Sequence, residues 1–379
     1  MRAESNYRKI LLVTNDLGPH AGGIESFILG LIEQLDGEEI LIYTSFEEGY
    51  ETFDAELKRK YGVLVIRDRA KVLLPTPRVN RSVSKAMRQY QSTHIWFGAA
   101  APLGFMAGHL RRNGAQRIVA LTHGHEVWWS RIWPFASIMR MMAKQIDGFG
   151  YLGDFTKNAL LGALGSRSQL SRIAPGISID HFVPGTKSPE LMAQYGLNGK
   201  LIIVCVARLV HRKGQDKLIE SMPEILSKVP NAVLLIVGQG PYESHLKSLV
   251  IKLHLQEAVK FVGRLPYEEL PRHIQLGDIF AMPSRSRNFG LEVEGLGISY
   301  LEASACGIPV VGGNSGGAPD AVLSGVTGMV VNGNDCHEIA ETIVDLLQNP
   351  ARKGSTRPLG DWGICERDCR KALLVTTND

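Results

Sequence analysis

Short apolar runs rich in β-branched residues alternate with longer stretches of helical periodicity along most of this 379-residue chain, and few folds tolerate that alternation. Parallel strands need crossovers of a dozen or more residues, so the rhythm specifies α/β architecture with parallel sheets. In the first half, KILLVT (9–14), ILIYT (40–44), VLVI (63–66), HIWFG (94–98) and RIVALT (117–122) read as strands. IESFILGLIEQL (24–35) has apolar residues at helical spacing and is expected to be the first crossover helix. After a polar stretch containing Pro184, Gly185, Ser188 and Pro189, the rhythm restarts with LIIVCVA (201–207), AVLLIVG (232–238), VKFVG (259–263), IFAMP (279–283) and IPVVGG (308–313). Two doubly wound domains are therefore expected, 1–184 and 185–352, with a linker near 184–200 and an atypical tail at 353–379 that lacks helical periodicity. Ligands of such sheets bind beyond the carboxyl ends of the strands, so two domains facing each other would share an interdomain cleft.

Apolar residues make up 44% of the chain and charged residues 21%, enough to build cores and too apolar for a disordered protein. Lys and Arg number 42 against 38 Asp and Glu, and a surplus of four does not indicate a nucleic-acid binder. The five cysteines, Cys205, Cys306, Cys336, Cys365 and Cys369, form no CxxC pair, which favours a reduced, cytosolic chain. Nowhere do 18 apolar residues follow one another, and MRAESNYRKILLVT has no signal-peptide core, so neither a span nor export is expected.

Four stretches place chemistry at strand ends. In TNDLGPHAGGIESF, Gly22 and Gly23 precede a helix, where glycines let the backbone approach a bulky ligand and the helix N-terminus offers N–H groups to an anion; an ordinary loop is the plainer reading. In ARLVHRKGQDKLIESMP, Arg208 and Lys213 are placed to meet a phosphate from two sides. His211 and Arg212 fit a solvated basic turn. In RNFGLEVEGLGISYLEASACGIPVVGG, Gly290, Gly295 and Gly297 make a flexible loop into a helix near Ile298 whose amides can approach a diphosphate. Glu302 suits a ribose diol and Glu294 a sugar diol, since a carboxylate accepts two hydroxyl protons at once. In RIVALTHGHEVWW, His123 and His125 follow a strand; one could donate to a sugar hydroxyl, and no third metal ligand accompanies the two. The sequence also lacks an Asp-x-Asp pair, so no metal cofactor is expected.

Together the GG loop, the strand-end His, the Arg-x4-Lys pair and the E-x7-E spacing, in this order over roughly residues 9–350, resemble the retaining glycosyltransferases of family 4, which have the GT-B fold. The stretches WFGAAAPLGFMAG, THGHEVWWS, RLVHRKGQD and FAMPSRSRNFGLEVEGLGISYLEASACGIPVVGGNSGGAPD are similar to one branch of it, the actinobacterial α-1,6-mannosyltransferases that use GDP-mannose and phosphatidylinositol monomannoside. The resemblance implies transfer with retention and without metal, an acceptor-binding first domain and a donor-binding second one. It places Arg208 and Lys213 on the diphosphate, Glu302 on the ribose, Glu294 on the mannose 3- and 4-hydroxyls, and Gly22 and Gly23 near the phosphate. By the same resemblance Val262, Gly295 and Gly297 would be further donor contacts, His123 would meet the mannose 6-hydroxyl, and Asp16 and His125 would face the acceptor. Family members end in a helix that crosses back to the first domain, and residues 353–379 depart from that pattern.

A lipid acceptor requires a membrane-facing surface. Between residues 56 and 90, ten basic residues (Lys58, Arg59, Lys60, Arg67, Arg69, Lys71, Arg78, Arg81, Lys85, Arg88) face two acidic ones (Glu56, Asp68), a surplus of eight suited to an anionic inner membrane face. Trp128, Trp129, Trp133 and Phe135 with Arg131, Arg140 and Lys144 have interfacial composition, and core packing explains them equally well. The alternatives are a family 4 enzyme with another nucleotide sugar or a soluble acceptor, a nucleotide-dependent oxidoreductase, a sugar-nucleotide epimerase and a pure binding protein. The oxidoreductase needs a Gly-rich fingerprint that neither first strand supplies, and a binding protein would need no phosphate clamp.

Overall fold

The computed structural model describes residues 9–19, 23–33, 40–124, 126–165, 168–173 and 176–349. Gly22, His125 and the tail at 353–379 lie outside the described residues. The chain divides into two compact units, the first running to Gly176 and the second starting at Ile177.

The first unit holds a seven-stranded sheet: β1 (Ile10–Thr14), β2 (Ile40–Thr44), β3 (Leu64–Arg67), β4 (His94–Phe97), β5 (Arg117–Leu121), β6 (Gly148–Tyr151) and β7 (Gln169–Arg172). Its order is β3-β2-β1-β4-β5-β6-β7, and every pairing is parallel. β1 is buried at every position because helices cover both of its faces. On one face Leu11, Val13, Leu41, Tyr43, Ile95, Phe97, Ile118 and Ala120 pack with residues of the helices Pro77–Gln89, Ala107–Arg112, Phe135–Ala143 and Asp154–Leu164. The expected first helix forms at Gly23–Glu33 and buries Phe27, Ile28, Leu31 and Ile32.

The second unit holds six parallel strands: β8 (Leu201–Val206), β9 (Ala232–Val237), β10 (Val259–Gly263), β11 (Ile279–Met282), β12 (Val310–Gly313) and β13 (Gly328–Val331), ordered β10-β9-β8-β11-β12-β13. The polar stretch at 184–200 is not an open linker. Ser188 caps the helix Pro189–Gln194 with Pro189 in its first turn, Lys187 pairs with Asp278 at 2.6 Å, and the Gln275 side chain donates to the Val183 carbonyl at 2.8 Å.

In each sheet the order reverses beside the first strand of the unit, between β1 and β4 and between β8 and β11. The crevice at such a reversal is where an open α/β sheet holds a ligand. Asp16 and Gly98 flank the first reversal, and Arg208 and Ser284 flank the second.

Candidate active site

In the second unit, β8 delivers the chain to Arg208, and the 3-10 turn His211–Lys213 then feeds the helix Gln215–Lys228 through Gly214. Gly214 has a φ of 77°, and a Cβ there would lie 2.0 Å from the Pro283 carbonyl oxygen, so only glycine lets this turn close on the β11 loop. Arg285 locks the contact. Its backbone N–H donates to the Arg212 carbonyl at 2.8 Å, and its guanidinium grips Asp216 with two bonds, at 2.8 and 2.6 Å. Both side chains are almost fully buried. Burial pushes the Asp216 carboxyl up, but the Arg285 hydrogen bonds and charge outweigh it and hold the group below its ordinary range. Arg285 also donates to His211 Nδ1 at 2.7 Å, and burial with the Arg285 charge lowers the imidazole pKa. His211 and Arg212 are therefore not a solvated turn: both are partly buried, and the Arg212 guanidinium lies 3.8 Å from the Glu292 carboxylate.

This brace holds Lys213 in place. Its ammonium lies 2.7 Å from Glu294 Oε2, with the two side chains only 12% and 8% exposed. The loop carrying Glu294, expected to be flexible, is tied down: the Glu294 N–H donates to Ser315 Oγ at 3.2 Å, and its carbonyl accepts from the Gly317 N–H at 2.9 Å. A Cβ on Gly317 would lie 2.1 Å from the Gly295 carbonyl oxygen and one on Gly316 2.2 Å from the Glu294 carbonyl oxygen, so the two glycines that follow β12 allow the two loops to touch. Gly297 takes a φ of 83° as the N-cap of the helix Ile298–Ala305. Tyr300, fully buried in that helix, donates to the Met282 carbonyl at 2.6 Å and fixes the helix against β11. Val262 sits at a bulge in β10, skipped by the register between Phe261 and Gly263, a device that re-aims side chains at sheet ends.

Two charged groups in this region stand without partners. Among the described residues, neither the exposed Arg208 guanidinium nor the Glu302 carboxylate has a hydrogen-bond or ion-pair partner. The Glu302 carboxylate keeps some solvent contact but is surrounded mostly by protein. Burial pushes its pKa up to about 7, against an opposing pull from Lys213.

In the first unit the corresponding groups are engaged with the protein. His123 Nε2–H donates to the Gly98 carbonyl at 2.5 Å, its backbone N–H donates to Glu126 at 3.0 Å, and its ring meets Phe27 edge-on at 5.6 Å. Phe27 belongs to the helix Gly23–Glu33, so the strand-end histidine packs against the first helix of the unit. A Cβ on Gly23 would meet nothing within 4 Å, which leaves that helix start open. Gly98 was not among the expected site residues. A Cβ on it would lie 2.5 Å from Thr14 Oγ1, so a larger residue would displace the carbonyl that His123 holds. Asp16 follows β1, is partly buried, and donates its backbone N–H to Thr14 Oγ1 at 2.9 Å. Among the described residues no group of three His, Cys, Asp or Glu side chains converges as metal ligands.

The basic segment separates into two sets. Arg59 reaches Glu56, Lys60 reaches Glu33, Arg67 and Arg78 make two-pronged pairs with Asp54 and Asp68, and Arg88 donates to Asn113. Burial raises the Asp68 pKa, but hydrogen bonds from Arg78, Tyr43 and the Ala70 N–H bring it down to about 2. Lys58, Arg69, Lys71, Arg81 and Lys85 are exposed, with no such partner among the described residues. The aromatic group is likewise split: Trp129 packs on the core and on Phe135, and Trp133 is 81% exposed.

Comparison with known proteins bears on the family and the fold. Residues 187–357 match the family model "Glycosyl transferases group 1". The chain is 40% identical over 375 residues, 97% of its length and 98% of the relative's, to the GDP-mannose-dependent alpha-(1-6)-phosphatidylinositol monomannoside mannosyltransferase of Mycolicibacterium smegmatis. It is 39% identical to the GDP-mannose-dependent monoacylated alpha-(1-6)-phosphatidylinositol monomannoside mannosyltransferase of Corynebacterium glutamicum, over 93% of this chain and 92% of that one. The fold is similar to that of Anabaena Alr3699/HepE in complex with UDP and glucose, with a TM-score of 0.75 at 19% identity over 95% of each chain. Sucrose-phosphate synthase from Thermosynechococcus elongatus gives 0.74 at 20% identity, over 98% of this chain and 95% of that one. With its two parallel Rossmann-like sheets and these near full-length relatives, the chain belongs to the group 1 glycosyl transferases of the GT-B class, in the branch that holds the phosphatidylinositol monomannoside mannosyltransferases.

Proposed function

We propose that this protein transfers mannose from GDP-mannose to phosphatidylinositol monomannoside through an α-1,6 linkage, with retention, giving the dimannoside. The single observation that carries the chemistry is the donor-type arrangement in the second unit: Lys213 paired with Glu294 at 2.7 Å, with Arg208 and Glu302 left without protein partners. The identity of donor and acceptor rests on the near full-length relatives.

In this reading Arg208 and Lys213 neutralise the diphosphate as the bond from the mannose C1 to the phosphate oxygen breaks. Lys213 also holds Glu294 at 2.7 Å, so its carboxylate is positioned to accept from two sugar hydroxyls and orient the ring. Glu302 accepts from the ribose diol, which favours its ionised form. The new bond forms between C1 and an acceptor hydroxyl oxygen, and the proton of that hydroxyl passes to the departing phosphate oxygen, so no protein base is required. His123, its ring oriented by the Gly98 carbonyl, is assigned to the mannose 6-hydroxyl, and Asp16 and His125 to the acceptor. With the phosphate charge met by Arg208 and Lys213, the reaction is assigned no metal cofactor.

A lipid acceptor places the enzyme at an anionic inner membrane face, in peripheral contact. No helix among the described residues is long and apolar enough to cross a membrane. The exposed Lys58, Arg69 and Lys71 and the exposed Val72 and Leu74 are of a composition suited to such contact. The test offers labelled GDP-mannose or UDP-sugars together with phosphatidylinositol monomannoside and follows the lipid product by mass. A lipid heavier by one hexose from GDP-mannose is expected; turnover with a UDP-sugar alone would overturn the donor.

A further inference from the structure

A cavity of about 520 Å³ opens on the first unit, bounded by the helices Pro77–Gln89 and Ala107–Arg112. Asn80, Arg81, Phe105, His109, Arg112 and Gln145 line it, and no carboxylate does. None of these residues belongs to the expected donor or acceptor set.

The arginines of this face explain what the cavity is suited to hold. Arg78 is matched to Asp68, Arg88 to Asn113 and Arg111 to Asp147. Arg81, one helical turn past Arg78, and Arg112, next to Arg111, are both exposed and have no such partner among the described residues. The two helices thus carry arginines that the fold uses and, beside them, one each that opens into the same cavity. Two guanidinium groups on one cavity without a carboxylate match the oxygens of a phosphate, which each can meet with two parallel hydrogen bonds. Asn80, His109 and Gln145 add groups able to bind ester or hydroxyl oxygens.

The surroundings indicate where that phosphate comes from. Phe105, on the cavity wall, lies 6.0 Å from Trp129, whose ring contacts Phe135 at 5.1 Å. Met141, four residues before Gln145, is 62% exposed, and Trp133 is 81% exposed. Exposed Trp and Met on the same unit as these arginines are the composition of a surface lying at a bilayer interface.

We propose that this cavity binds the phosphodiester headgroup of an anionic membrane lipid, apart from the donor and acceptor residues, and so fixes the first unit on the bilayer. The proposal rests on the reading that the acceptor is a membrane lipid. Its test uses the full chain and vesicles of phosphatidylcholine with and without phosphatidylinositol, at about 0.15 M salt. Arg81→Ala with Arg112→Ala should weaken binding to the phosphatidylinositol vesicles by about 30-fold or more, and a control pair of exposed lysines in the second unit, Lys200→Ala with Lys252→Ala, by clearly less. Equal losses would mean a diffuse charge effect and overturn the site.

Gly108→Met is the sharper variant, because it changes no charge. A Cβ at Gly108 would rest 3.7 Å from Gln145 Cγ, an ordinary contact, and the rest of the side chain would enter the cavity. Binding should fall by about tenfold, with the rise in Tm on adding GDP retained as the check on folding. Unchanged vesicle binding by Gly108→Met would overturn the proposal. Binding of millimolar inorganic phosphate that the double variant abolishes, but that leaves wild-type vesicle binding unchanged relative to matched chloride, would assign the cavity to a free phosphate and overturn the lipid source. Failure of the mannosyl-transfer reading would appear separately, as absent turnover by the wild-type enzyme on detergent-dispersed acceptor.

Discussion

The two units treat their strand-end polar groups in opposite ways. In the first, His123 gives Nε2–H to Gly98 and its backbone N–H to Glu126, and Asn15 exchanges two hydrogen bonds with Leu73. In the second, the fold builds a stiff brace from Arg285, Asp216 and Lys213 and leaves Arg208 and Glu302 without protein partners beside it. A group already satisfied by the protein shapes a site, whereas an unsatisfied charge kept near protein awaits a ligand that completes it. On the proposed reading, phosphate and ribose recognition falls to the second unit and orientation to the first.

The largest test of that contrast pairs Lys213→Ala with Arg208→Ala. Losing Lys213 removes a phosphate cation and also strands the buried Glu294 carboxylate, so turnover should fall by about 10²- to 10³-fold and stability by about 3–5 kcal/mol. Arg208→Ala should lower turnover to a similar degree but change stability by no more than about 0.5 kcal/mol. Rates with GDP-mannose and urea unfolding curves measure both, and equal destabilisation would erase the distinction.

Next in size are two changes in the first unit. Gly98→Ala forces a Cβ against Thr14 and should destabilise by about 1–3 kcal/mol. His123→Ala orphans the Gly98 carbonyl and should cost about 1–3 kcal/mol in unfolding experiments. Lost turnover at unchanged stability would instead make His123 a substrate contact and nothing more.

Much of this fold was legible because buried parallel strands read as unbroken apolar runs. ILLVT, LIIVCV and AVLLIV could hardly be anything else, and each forms a strand. The strands that escaped carry weak signals for physical reasons. β6, GFGY, is half glycine, and β7, QLSR, is an edge strand whose polar side chains meet solvent. β13, GMVV, is the other sheet's edge and begins with glycine. In the site, the spacing of Arg208, Lys213, Glu294 and Glu302 marked charged groups at strand and helix ends. It did not reveal that Lys213 pairs with Glu294, since that contact depends on Gly214 and Gly317 letting separate loops approach to atomic distance. Nor did it reveal the Arg285–Asp216 brace, which joins residues 69 positions apart. The basic segment misled in a simpler way, because a count of charges does not show which of them the fold consumes. Arg67 and Arg78 are held by Asp54 and Asp68.

A smaller effect follows from Glu302. Its carboxyl is held at about 7 in the folded protein against an ordinary 4.5, so the folded state binds the proton more tightly than the unfolded chain. That contribution to stability is fully present below the ordinary pKa and is lost as the pH rises through about 7. The ligand-free protein should therefore lose Tm relative to Glu302→Gln as the pH is raised across this window. Melts of the two proteins that run parallel with pH would contradict the assignment.

The central claim is that Glu302 and Arg208 wait for the nucleotide of the donor, and calorimetric titration of GDP tests it most directly. Performed near pH 6 in two buffers of different ionisation enthalpy, it should show release of about one proton on binding, as the ribose diol favours the carboxylate. The release should fade by about pH 8 and be smaller in Glu302→Gln, which leaves only the proton of the GDP terminal phosphate, and Arg208→Ala should bind GDP at least about tenfold more weakly. GDP binding by the wild-type protein with no proton release at either pH, and with full affinity in both variants, would contradict the account.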